Sequence, residues 1–70
     1  MNSKLLKSYF ILNGKSINGA YKALEISKSA LYRKMNGITE FTRLEIIKLI
    51  EYLEIDISTA MKIFFENEVS

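Results

Sequence analysis

The side chains able to do chemistry in this chain are almost all hydrogen-bond donors and cations: eight Lys and two Arg, set beside Ser, Thr, Asn and Tyr. There is no His, no Cys and a single Asp. The serines therefore lack the imidazole that would take their proton. Asp56 has no second carboxylate in a cleft motif, and no thiolate or imidazole set is available to hold a metal. Asn13-Gly14-Lys15-Ser16 ends like a phosphate-cradling loop but lacks the earlier Gly and the strand such a loop needs. No catalytic residue, metal ligand, cofactor or small-molecule substrate is expected, and an enzyme is not the reading these residues favour.

The cations are unevenly placed. Residues 1–43 hold eight basic side chains (Lys4, Lys7, Lys15, Lys22, Lys28, Arg33, Lys34, Arg43) against Glu25 and Glu40, a surplus of six positive charges. Residues 44–70 hold Lys48 and Lys62 against six acids (Glu45, Glu51, Glu54, Asp56, Glu66, Glu68), a surplus of four negative ones. Such a division predicts one surface turned to a polyanion and a tail turned elsewhere.

The elements that must position these charges come from the apolar pattern. Seventy residues, 49% of them hydrophobic and with four Phe and four Tyr, suffice for one small packed domain over 1–70. The N-terminus reads as no signal peptide, no apolar run approaches membrane-spanning length, and a cytoplasmic protein is expected. There is no Pro, and Ile and Leu recur at spacings of three and four, so the fold class expected is all-α.

Five helices are legible. The first starts after Asn2 or Ser3, carries Leu5, Tyr9 and Leu12 on one face with Leu6 and Phe10 beside them, and ends at Asn13-Gly14. Ser16 caps a second bearing Ile17, Ala20, Tyr21 and Leu24, and Ser27 caps a third that buries Leu31 and Met35 and stops at Asn36-Gly37. Thr42-Arg43-Leu44-Glu45 is a capping box, with Phe41 placed to pack on Ile46 as a hydrophobic staple. The fourth helix holds Leu44, Ile46, Ile47, Leu49, Ile50 and Leu53 and reads as the core helix. Ser58 is expected to cap a fifth, over about 58–67, bearing Met61, Phe64 and Phe65.

Only a few residues around Leu24-Glu25-Ile26-Ser27 join the second and third helices, which predicts a helix-turn-helix over about 16–36. The run Ala23-Leu24-Glu25-Ile26-Ser27-Lys28-Ser29-Ala30-Leu31-Tyr32-Arg33-Lys34-Met35-Asn36-Gly37 resembles the helix-turn-helix core of phage Cro and C1-type repressors. The segments Glu40-Phe41-Thr42-Arg43-Leu44-Glu45-Ile46 and Ile63-Phe64-Phe65 are similar to small Cro-like proteins of Gram-positive phages, so the resemblance spans nearly the whole chain. It departs at Glu25, where the family usually has Gly, at Tyr21, where Ala is frequent, and at Ile17 and Lys28, where Gln is frequent.

The resemblance implies a compact, five-helix, lambda-repressor-like domain that binds a double-stranded DNA operator in the bacterial host cytoplasm. It also implies that Lys28, Ser29, Tyr32 and Arg33 face the major groove. Their chemistry agrees: Arg33 can donate two parallel bonds to guanine, Lys28 reaches the same atoms as a point charge, Ser29 discriminates weakly, and Tyr32 suits a thymine methyl or a phosphate. Phosphate contacts are expected from Lys15, Ser16 and Asn18, from Lys34, Asn36 and Thr39, and from Thr42 and Arg43, at helix starts and the loop after the third helix. A module this small needs two copies on a two-fold site, so a weak homodimer through Phe64, Phe65 and Val69 is expected, with Phe64 also suited to closing the monomer core. Two other readings stay open: a helical module that grips and antagonises another regulator, and an antitoxin-type autorepressor.

Overall fold

The computed structural model describes residues 1–66, and among these there are five α-helices and no strand. They are α1 (Ser3–Leu12), α2 (Ile17–Leu24), α3 (Lys28–Met35), α4 (Arg43–Leu53) and α5 (Ile57–Phe64). The radius of gyration, 11.0 Å, equals the value of about 11 Å expected of a folded chain this long, so the helices form one packed body.

Each helix begins at a side-chain cap. Asn2, Ser16, Ser27 and Thr42 accept the backbone N–H three residues on, and Thr42 and Glu45 close the reciprocal capping box. The fifth helix departs from expectation: Asp56, not Ser58, is its cap, accepting from the Thr59 N–H at 2.7 Å, and the helix runs over Ile57–Phe64. The carboxylate makes the stronger, charge-assisted bond and starts the helix two residues earlier.

The first four helices end alike. Gly14, Glu25, Gly37 and Glu54 all lie in the left-handed region, with φ of 63°, 58°, 78° and 57°. In each case the next residue's N–H reaches back five residues: Lys15 to Phe10, Ile26 to Tyr21, Ile38 to Arg33 and Ile55 to Ile50. This is the Schellman closure, and it satisfies carbonyls that a helix end would leave open. At the two Glu positions the crowding of Cβ against the backbone is accepted, because the chain must reverse there.

The core is built from Leu6 and Phe10 of α1, Ala20 and Leu24 of α2, Leu31 and Met35 of α3, Leu49 and Leu53 of α4, and Ile63 of α5. Burial corrects several expectations. On α1 the inward line is Leu6–Phe10, with Leu5 and Tyr9 half-buried, whereas Leu12 is exposed. Two residues beyond Phe10 a side chain has turned by about 200°, to the far side of the helix. On α4 only Leu49 and Leu53 are fully enclosed, and Leu44 and Ile47 face outward. On α5 the inward residues are Ala60 and Ile63, while Met61 and, at the C-cap, Phe65 are exposed. Phe64 is half-buried, edge-on to Phe41 at 5.9 Å between ring centres.

Two polar ties fix how the helices meet. The Asn13 amide donates to the Leu53 carbonyl at 2.7 Å, joining the ends of α1 and α4. The Tyr52 hydroxyl donates to the Ser16 carbonyl at 2.8 Å, holding the start of α2 against α4.

Candidate nucleic-acid interface

The candidate site is the outer face of α3. Its inner face is anchored by Leu31 and Met35, both buried, and each Leu so enclosed contributes about 1.5–3 kcal/mol. The anchoring decides which way the rest of the helix points. Lys28, Ser29, Tyr32, Arg33 and Asn36 are all exposed, a row at spacings of three and four. Tyr32, which could have leaned inward, keeps 44% of its surface open.

The start of α3 is set by Ser27, whose Oγ accepts the Ala30 N–H at 3.1 Å. The three residues between α2 and α3 are Glu25, Ile26 and Ser27. Ile26 packs half-buried on the core, which fixes the turn, while Glu25 is exposed. A bare carboxylate there would oppose any anion approaching α3, but Lys48 of α4 donates to it at 3.0 Å. The Lys48 hydrogen bond, then its charge, holds the Glu25 carboxyl below its ordinary range.

The other expected contacts fall into two groups. Asn18, Thr39 and Arg43 are exposed, and no carboxylate of residues 1–66 pairs with Arg43. Ser16 and Thr42 each spend the side-chain oxygen on a cap. Lys15 is paired with Glu54 and lies over the Tyr52 ring, 5.8 Å from its centre. Lys34 donates to Glu45 at 2.7 Å and to the Glu40 carbonyl at 3.2 Å, with only 15% of its side chain exposed. Burial raises the Glu45 carboxyl, but bonds from Lys34 and the Thr42 backbone together outweigh it, and the net direction is down. The ammonium groups of Lys15 and Lys34 thus have internal partners, whereas Lys28 and Arg33 have no carboxylate partner among the described residues.

Two features of the surface were not read from the sequence. Lys7 of α1 donates to Asn36 Oδ1 at 2.7 Å, which brings it to the end of the α3 row across a gap of 29 positions that no local pattern reports. Along α5 and its C-cap the outward apolar residues are Ile57, Met61 and Phe65, exposed by 70%, 48% and 59%. Their spacing of four was available in the sequence as a stripe. Of the expected dimer residues, Phe65 belongs to that stripe, Phe64 turns inward to Phe41, and Val69 lies outside the described residues.

No family model, no curated protein and no solved structure matches the chain.

Proposed function

We propose that this chain is a sequence-specific, double-stranded-DNA-binding transcriptional regulator, a Cro-like repressor, that lays α3 in the major groove. The observation that carries the reading is the exposed row of donors on α3, whose outward cations are not spent on acids. Lys15, Lys34 and Lys48 are neutralised by Glu54, Glu45 and Glu25, whereas Lys28 and Arg33 project from a rigidly anchored helix with no carboxylate partner among the described residues. Donors held apart from acids on one face of a helix fit the acceptors of a groove that is about 12 Å wide. The three-residue connection and the α2 start capped by Ser16 agree with a helix-turn-helix in which α2 crosses the phosphate backbone.

Ile57, Met61 and Phe65 form a self-complementary stripe: in an antiparallel two-fold contact centred on Met61, Ile57 of one copy meets Phe65 of the other. This supports a homodimer on a two-fold operator. The same stripe also favours a second reading, a helical module that grips another regulator.

Salt separates them. Neutralising phosphates releases counterions, so duplex affinity must fall linearly in log–log form, by about 0.9 per phosphate contact. A binding titration against a random duplex pool is expected to show that steep decline and an enriched sequence. No binding to any duplex would leave the regulator-gripping module as the better reading.

A further inference from the structure

Lys7 of α1 adds to the end of the α3 row a cation that the row itself does not contain, and we propose that Lys7 and Asn36 together clamp one backbone phosphate of the bound duplex. The inference rests on the DNA-binding reading above.

An ammonium only donates, and an amide accepts only through Oδ1, so the 2.7 Å bond between Lys7 Nζ and Asn36 Oδ1 fixes how the amide is turned. The two Nδ2 hydrogens then point away from Lys7. The free ammonium hydrogens and the amide hydrogens both lie at an exposed edge, and Lys7 already occupies one lone pair of the only acceptor there. Those donors suit a group with several acceptor oxygens and a negative charge.

The pairing is unlike that of the other buttressed lysines. Lys15, Lys34 and Lys48 are held by carboxylates, which position them and cancel their charge. Lys7 is held by a neutral amide, which positions it and leaves the charge intact. The location adds a reason for a cation. Asn36 closes the C-terminal end of α3, where the helix dipole is negative and would repel a phosphate unless a positive charge offset it. Arg33 brings one such charge within the last turn, and Lys7 adds a second from α1.

The same two residues edge a groove of about 430 Å³ that runs beside Tyr32 and is floored by Phe10, Ile17 and Met35. A strand backbone flanking the major groove would pass along this edge, with its sugar carbons over the apolar floor and its phosphate at the donors.

The test uses the full chain and a duplex selected from a random pool. Lys7→Gln is expected to weaken binding several-fold on every sequence and to lower the log–log salt slope by about 0.9, with an unchanged melting temperature and base preference. Lys7→Arg is expected to keep the slope. Replacing single flanking phosphates by neutral methylphosphonates should reveal one position that weakens the wild type and has no effect on Lys7→Gln. If the wild type binds DNA and Lys7→Gln keeps the full slope, or if its loss varies with base sequence, the clamp is overturned and the DNA-binding reading stands. If the wild type binds no duplex, that reading itself falls and the clamp falls with it.

Discussion

Tyr52 of α4 closes over Gly19 of α2 so tightly that a β-carbon at position 19 would lie 2.9 Å from Tyr52 Cζ and closer still to its hydroxyl. The hydroxyl is tethered where it stands, donating to the Ser16 carbonyl at 2.8 Å, so swinging aside would cost that bond. The pair therefore sets the distance between α2 and α4, and through Ser16 it fixes the start of the helix that would cross the phosphate backbone. A glycine inside a helix of eight residues, unfavourable for the helix alone, is explained by this contact.

Gly19→Ala should therefore destabilise the fold despite the better helix propensity of Ala. Overpacking costs about 1–3 kcal/mol and the propensity gain is about 1 kcal/mol, so a net loss of about 1 kcal/mol is expected in thermal or urea unfolding. In a Tyr52→Leu background the clash is gone and the sign should reverse. A stabilising Gly19→Ala in the wild-type background would show that Tyr52 yields freely.

Arg33→Ala should relax discrimination at one or two base positions by about 1–3 kcal/mol each, read from affinities across single-base variants of the selected duplex. Equal weakening on every variant would assign Arg33 to phosphate instead.

The carboxylates give a definite pH response. Glu25, Glu45 and Glu54 are held below their ordinary range by their lysine partners, and Asp56 by its bonds from Thr59. A carboxylate with a lowered folded pKa contributes stability that is fully present above its unfolded value, about 4, and is lost as pH falls through the folded one. Melting temperature should accordingly vary little from pH 7 to about pH 5 on account of these groups and fall below about pH 4. Glu45→Gln should shrink that acid-side fall. An undiminished fall in the variant would place the titrating groups elsewhere.

Met61→Glu puts a charge at the centre of the exposed stripe along α5, on a side chain the monomer leaves about half open. Sedimentation of the protein on a two-fold duplex should show weaker pairing of copies, with the monomer melting temperature nearly unchanged. Unaltered pairing would move the dimer contact away from α5.

What the sequence disclosed and what it withheld divide along physical lines. Starts of helices were legible where one side chain does the capping, as at Ser16, Ser27 and Thr42, because the bond is local. Asn13-Gly14 and Asn36-Gly37 marked helix ends for the same reason, whereas Glu54 in the left-handed region left no trace, since Glu has no intrinsic preference for it. On the fourth helix an almost continuous apolar run hid which residues face inward, and packing alone put Leu49 inside and Leu44 outside. The pairing of charges was the least legible feature. Lys34 and Glu45 stand 11 positions apart and Lys15 and Glu54 stand 39 apart, so a surplus of lysines in the first half could be counted, but not which of them the fold would spend internally.

The bond network around Glu45 makes the last turn of α3 and the first turn of α4 a single unit. One oxygen, Oε1, takes both the Lys34 ammonium at 2.7 Å and the Thr42 N–H at 2.9 Å, while Lys34 also reaches the Glu40 carbonyl. The stretch between the two helices, with Thr39 at its middle, is thereby stapled near both of its ends before any partner arrives. Little freedom is left in that segment, so the entropy of ordering it is charged to folding, not to any later association.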